Sequence, residues 1–194
     1  MNTTDTTGKL FVISAPSGTG KSTIINELMK CDDLQLEFSI SATTRKPREG
    51  EKDGVNYYFL SLDDFRQRIE KGEFAEFEEV YAGRYYGTLK SEIERITSMG
   101  KNVIMDVDVK GGLSVKGLYG DKALSIFIVP PSIDCLRERL LSRATDNIEE
   151  INKRVDKAAY ELTFVDKFDC CVVNDVLETA VEEVKAIITD FIAE

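Results

Sequence analysis

Short apolar runs punctuate the chain at Leu10–Ile13, Phe38–Ser41, Val103–Asp106, Leu124–Val129 and Cys170–Val173. They are continuously apolar rather than strictly alternating, the pattern of strands covered on both faces. Between most of them lie stretches with apolar residues at helical spacing: Ser22–Lys30, Leu89–Met99, Ile133–Leu141, Glu149–Phe164 and Leu177–Phe191. Strands alternating with helices predict an α/β fold with a mostly parallel central sheet flanked by helices. Two regions break the rhythm. Residues 42–88 are rich in charge, glycine and tyrosine, with β-like pieces at Asn56–Leu60 and Phe74–Tyr81. A helix is expected from Ser61, with Asp64 in the capping-box position. This region reads as a small inserted subdomain. Residues 130–155 open on Pro130-Pro131 and carry several arginines around Ala144-Thr145-Asp146-Asn147, a turn-like break.

Composition narrows the picture. The 194 residues suit one domain with a substantial core, and 42% hydrophobic with 31% charged residues describe a soluble globular protein. A net charge of −10 argues against nucleic acid or a membrane surface as partner, and no obligatory protein partner is evident. No apolar run reaches membrane-spanning length, and the polar Met1–Thr7 reads as a frayed tail, so a cytoplasmic setting is expected. Cys31, Cys135, Cys170 and Cys171 have no metal-ligand spacing. The chain has no histidine, which removes His-based triads, His-ligated metals and imidazole acid–base chemistry.

The strand at Leu10 leads into Ala15-Pro16-Ser17-Gly18-Thr19-Gly20-Lys21-Ser22-Thr23, which opens the first helix. Strand, glycine-rich turn, Gly-Lys-Ser and helix is the layout of a phosphate-binding loop. Backbone N–H groups and a helix N-terminus converge there on one spot, which suits a nucleoside triphosphate. Lys21 would place a cation between the outer phosphates, and the Ser22 hydroxyl would join the shell of a magnesium ion. The usual motif begins with glycine where this chain has Ala15. At positive φ an alanine would cost roughly 1–2 kcal/mol, so Ala15 is expected at negative φ with the loop intact.

Two arginine clusters accompany the loop. In Thr43-Thr44-Arg45-Lys46-Pro47-Arg48, proline keeps the backbone extended, and Arg45 with Arg48 can form a phosphate clamp; a solvated basic loop is the alternative. Arg137, Arg139, Arg143 and Arg154 form the second cluster, with Arg139 and Arg143 on one helical face; surface pairing with Glu138, Glu149 or Glu150 is its alternative. Two anions brought to ~4 Å at an effective dielectric of 20 repel by about 4 kcal/mol per unit pair. Lysine and magnesium alone would not offset several such pairs, whereas added arginines would. A phosphomonoester acceptor also needs no catalytic base, because its second pKa is near ~6. Asp106 and Asp108 close the strand at Val103, beside the magnesium or substrates in such a fold or as a cap on the following turn.

With these residues in view the chain resembles the guanylate kinase family of P-loop nucleoside monophosphate kinases, from about Lys9 onward. The resemblance rests on Pro16–Thr23, the Ser39–Arg48 signature, Gly50-Glu51 with Tyr57 and Phe59, and Phe74-x-Glu76. It continues through Tyr85-Tyr86-Gly87-Thr88, Asp106-x-Asp108 with Gly111, and Val173-Asn174-Asp175. It implies Mg-dependent phosphoryl transfer from ATP to GMP. It also implies a core at about 8–41, 89–129 and 156–194, a GMP-binding insert at about 42–88 and a lid at about 130–155. The resemblance assigns Ala15–Thr23 with Asn174 and Asp175 to ATP, and Ser22 to magnesium with Asp106 nearby. Arg45, Arg48, Tyr57 and Tyr86 would hold the GMP phosphate; Ser41, Glu76 and Thr88 would read guanine, with Asp106 and Asp108 beside them. Lys21, Arg48, Arg139, Arg143 and Arg154 would serve the transferred phosphoryl group. A carboxylate suits guanine because N1–H and the exocyclic amine can both donate to it, and such a site can discriminate by as much as ~10⁴–10⁵. Ala144 departs from the glycine often found after the lid arginine. The competing readings are a catalytically inactive binding module on the same scaffold and a related kinase with another phosphorylated acceptor.

Overall fold

The computed structural model describes residues 8–142 and 147–194. The expected tail and the turn-like break at Ala144–Asp146, with Arg143, lie outside these residues.

Nine strands among the described residues form two sheets. The central sheet contains β1 (Leu10–Ser14), β2 (Leu36–Phe38), β7 (Asn102–Asp106), β8 (Ala123–Val129) and β9 (Cys170–Val173), in the order β2-β7-β1-β8-β9. Every neighbouring pair is parallel. All five residues of β1 are buried, as a central strand covered on both faces requires. Phe11 and Ile13 pack with α1 (Lys21–Leu28) and α7 (Leu177–Ala193) on one face. Leu10 and Val12 point to the other, against Ile93 and Ile96 of α3 (Lys90–Ser98) and Val115 of α4 (Val109–Tyr119). The chain thus has the α/β architecture the alternation implies.

The second sheet joins β3 (Ala42–Thr43), β4 (Tyr58–Phe59), β5 (Phe74–Tyr81) and β6 (Arg84–Leu89) in the order β4-β3-β6-β5. With α2 (Leu62–Glu70) it encloses its own small core of Ala42, Phe65, Phe74 and Leu89. Ser61 caps α2 by accepting from the Asp64 N–H, as expected. A second small core, Leu136, Leu140, Ile151, Val155 and Ala158, joins α5 (Ile133–Ser142) to α6 (Ile148–Leu162).

Two sequence expectations are corrected. The strand expected at Phe38–Ser41 ends at Phe38. Ser39 N–H still reaches Ile104 O, but Ile40 N–H turns to the carboxylate of Glu92, and the chain leaves the sheet. The periodicity also gave no helix between β7 and β8, where α4 spans Val109–Tyr119. Its glycines lower helix propensity, yet close packing demands two of them. A Cβ on Gly112 would lie 2.6 Å from Ser14 Oγ, and one on Gly111 would lie 3.0 Å from Glu76 Oε2.

Candidate active site

The loop after β1 sits at the C-terminal end of the central strand, between β7 and β8, where parallel α/β sheets open a crevice. Gly18 and Gly20 hold φ of 93° and 99°, a region closed to most side chains. A Cβ on Gly18 would also stand 2.8 Å from Leu140 Cδ2 of α5, so the loop passes tightly beneath that helix. Gln35 is the sole described non-glycine residue at positive φ, so Ala15 carries no such strain, as expected. Lys21 points from the start of α1 to the end of β7. Its ammonium pairs with Asp106 and donates to Val107 O at 3.0 Å. The loop, Ser22, Thr23 and Asp106–Asp108 line a cleft of about 370 Å³, with Lys157 and Glu161 of α6 on its rim.

Asp106, Val107 and Asp108 also line a second cleft of about 160 Å³, so the two clefts adjoin at this three-residue stretch. Ser41, Tyr57, Glu76, Glu78, Tyr86 and Gly87 form its other sides. The antiparallel pairing of β5 with β6 sets Glu76 opposite Thr88, whose hydroxyl donates to Glu76 Oε1 at 2.7 Å. Burial pushes the Glu76 carboxyl up to about 7; the Thr88 hydrogen bond opposes that rise and the charge of Asp108 adds to it. Burial and Asp108 also raise Glu78. Asp108 adopts the capping alternative as well, since Oδ1 accepts from Gly111 N–H at 2.7 Å and starts α4.

Arg45 is fixed by Glu51, which accepts two guanidinium hydrogen bonds of 2.8 Å and the Arg48 N–H at 2.7 Å. The guanidinium lies over Tyr57 at 5.2 Å, and Tyr57 meets Tyr86 edge-on at 6.0 Å. These hydrogen bonds hold the Glu51 carboxyl down at about 2. Arg48 itself is exposed at the edge of this group.

A third recess, about 280 Å³, flanks the phosphate loop and contains Gly18–Gly20, Thr23, Arg139, Asn174 and Asp175. Asn174 Nδ2 donates to Thr19 O at 2.7 Å, and a Cβ on Gly20 would lie 2.5 Å from that same amide nitrogen. Arg139 reaches Asp175 O at 3.3 Å and Thr19 O at 3.5 Å. Arg154 instead stands 3.4 Å from Ser17 Oγ. The two arginines therefore meet the loop at different residues, Thr19 and Ser17, and Arg143 lies outside the described residues.

Sequence reasoning left Glu51, Glu78, Lys157 and Glu161 without roles. Glu78 follows Glu76 by two along a strand, which places both on one face; that spacing was a readable signal. Glu51 carries no such signal, because its partner arginine is in a loop.

The family model described as "Guanylate kinase" matches residues 7–191. A guanylate kinase of Porphyromonas gingivalis is 58% identical over 185 residues, covering 95% of this chain and 98% of that one. One from Bacteroides fragilis is 55% identical over 184 residues, covering 95% and 90%. The crystal structure of guanylate kinase from Anaplasma phagocytophilum superposes with a TM-score of 0.71 at 29% identity, covering 95% of this chain and 86% of that chain. A phosphate-binding loop beside a carboxylate-lined cleft, and similarity along nearly the whole chain, lead to one conclusion: the chain belongs to the guanylate kinase family.

Proposed function

We propose that this member of the guanylate kinase family transfers the terminal phosphoryl group of ATP to GMP where the two clefts adjoin at Asp106–Asp108. The observation that carries the reading is that shared stretch, which joins the cleft of the phosphate-binding loop to a cleft lined by the Glu76 carboxylate. ATP phosphates would lie on Ala15–Thr23, with the nucleoside in the recess of Asn174, Asp175 and Arg139. GMP would enter the second cleft, its phosphate toward Arg45, Arg48, Tyr57 and Tyr86 and its base toward Ser41, Glu76 and Thr88. Lys21 would exchange Asp106 for the outer phosphates of ATP. Arg154, with Arg139 and Arg143, would balance charge on the transferring group as residues 130–155 close like a lid and residues 42–88 act as the GMP insert on the core.

Magnesium fits the donor set. Ser22 hydroxyl and Asp106 carboxylate are hard oxygen donors on one cleft, and nucleotide phosphates would complete the coordination. Among the described residues no group of three metal-ligating side chains stands ready, which suits an ion that arrives with ATP. Bound there, magnesium would neutralise charge on the phosphates. The acceptor phosphate is already an anionic nucleophile at neutral pH, so positioning and exclusion of water carry the step. No described helix is long and apolar enough to cross a membrane. ATP and GMP are the proposed partners and the cytoplasm the proposed setting.

The test is ADP formation by the purified protein with MgATP, alone and with GMP, AMP, UMP or CMP. Rapid release that depends on GMP is expected. GMP binding without turnover would indicate a binding module, and faster turnover with another acceptor would overturn the guanine assignment.

A further inference from the structure

The most completely buried carboxylate near the acceptor cleft is not in it. Glu92, in the first turn of α3, is 2% exposed and accepts four hydrogen bonds. Two come from the Arg95 guanidinium, at 2.9 Å each; the others come from Ile40 N–H at 3.1 Å and Tyr58 Oη at 2.8 Å. Burial alone would raise the Glu92 carboxyl, but these donors outweigh it and hold it below the usual carboxylate range. Arg95 is anchored in turn by Glu37 of β2 at 2.8 Å, and Lys101 holds the other oxygen of Glu37 at 2.7 Å.

The donors on Glu92 have telling neighbours. Ile40 precedes Ser41, Tyr58 follows Tyr57, and Glu92 itself lies four residues beyond Thr88. Ser41 and Tyr57 line the acceptor cleft, and Thr88 holds the carboxylate of Glu76. Ser41 O also accepts Tyr58 N–H at 2.9 Å, so the two diverted segments are tied to each other. We infer that Glu92 is a positioning residue for the acceptor site: its carboxylate fixes, from behind, the chain segments that present Ser41 and Tyr57.

An apolar side chain at position 92 could fill the space, and for stability alone that exchange is often neutral or favourable. It could not turn Ile40 N–H out of the central sheet or aim Tyr58 Oη. A buried carboxylate held by four donors specifies direction as well as proximity. The hydrogen bonds of Glu92 reach the segments that precede Ser41 and follow Tyr57 and none reaches the phosphate loop, so its effect falls on acceptor binding.

The inference rests on the reading of the second cleft as the acceptor site, and its test separates the two. GMP and, separately, MgATP are titrated calorimetrically into wild type, Glu92→Gln and Tyr58→Phe, with thermal melts alongside. Glu92→Gln is expected to weaken GMP by about tenfold, and Tyr58→Phe, which loses one hydrogen bond, by about threefold. MgATP affinity should stay within about twofold in both, a split that mere loss of core stability would not produce. Wild-type GMP affinity in Glu92→Gln, or equal weakening of GMP and MgATP, overturns the inference. If Glu92→Gln does not fold, Tyr58→Phe decides by the same criteria. A wild-type protein that binds MgATP but not GMP overturns the acceptor reading, and the inference falls with it; binding of GMP without turnover overturns only the enzymatic reading.

Discussion

The phosphate-loop cleft takes most of its wall from one unbroken stretch, Ala15–Thr23, whose backbone makes the site. The adjoining cleft gathers Glu76 and Tyr86 from two strands of the second sheet and Ser41 and Tyr57 from just before two others. In the first, on the proposed reading, glycine at positive φ and a helix N-terminus would take any polyphosphate, with side chains mattering chiefly at Lys21 and Ser22. In the second, side chains would do the recognising, and other side chains hold them: Thr88 on Glu76, Glu51 on Arg45. A backbone-built site is local and tolerant; a side-chain-built site is selective and depends on distant support.

This contrast breaks most visibly at Lys21. Lys21→Ala should lower kcat by about 10²–10³, the scale for losing one preorganised electrostatic group. GMP affinity should change less than kcat, because Lys21 meets the second cleft only through Asp106 and Val107; calorimetry and ADP-release kinetics read the two quantities. Next comes Glu76→Gln, expected to cut kcat/KM for GMP by about 10² through an unpaired hydrogen-bonding group, with the KM for MgATP within about twofold.

The same variant sharpens the comparison through pH. Folded, Glu76 keeps its proton up to about 7, whereas the ordinary value of the group is 4.5. The folded state therefore binds more protons between those values, and this group lowers stability as pH rises from about 4.5 through about 7. Glutamine has no proton to lose, so Glu76→Gln should melt a few degrees above the parent at pH 8, and the gap should close toward pH 5. The smallest effect is expected at the backbone-built site. Ala15 is buried and not at positive φ, so Ala15→Gly should leave kcat within about twofold and lower stability by roughly 0.4–1 kcal/mol through unfolded-chain entropy.

Legibility in the sequence follows the same divide. The phosphate loop could be read from spacing alone, because its chemistry is contiguous. The central strands could be read as apolar runs for a similar reason: burial on both faces leaves no polar alternation to confuse. Helix α4 was hidden because Gly111 and Gly112 answer to Glu76 and Ser14, contacts that no local period records. Residue chemistry alone could not choose Glu76 among Glu73, Glu78 and Glu79; family resemblance made that choice, and the fold supplies a reason in the Thr88 partner and the burial. Glu51 entered only through the family motif, with no role attached, and Glu92 gave no signal, since its partners Ile40 and Tyr58 are remote in sequence.

The selectivity of the side-chain-built cleft is tested most directly with inosine monophosphate, which matches GMP but lacks the 2-amino group. The measurement is the ratio of kcat/KM for GMP to that for inosine monophosphate, in wild type and in Glu76→Gln. A wild-type ratio of about 10² or more that collapses toward unity in Glu76→Gln is the expected result. A ratio that survives the substitution would contradict the assignment of Glu76 as the residue that reads guanine.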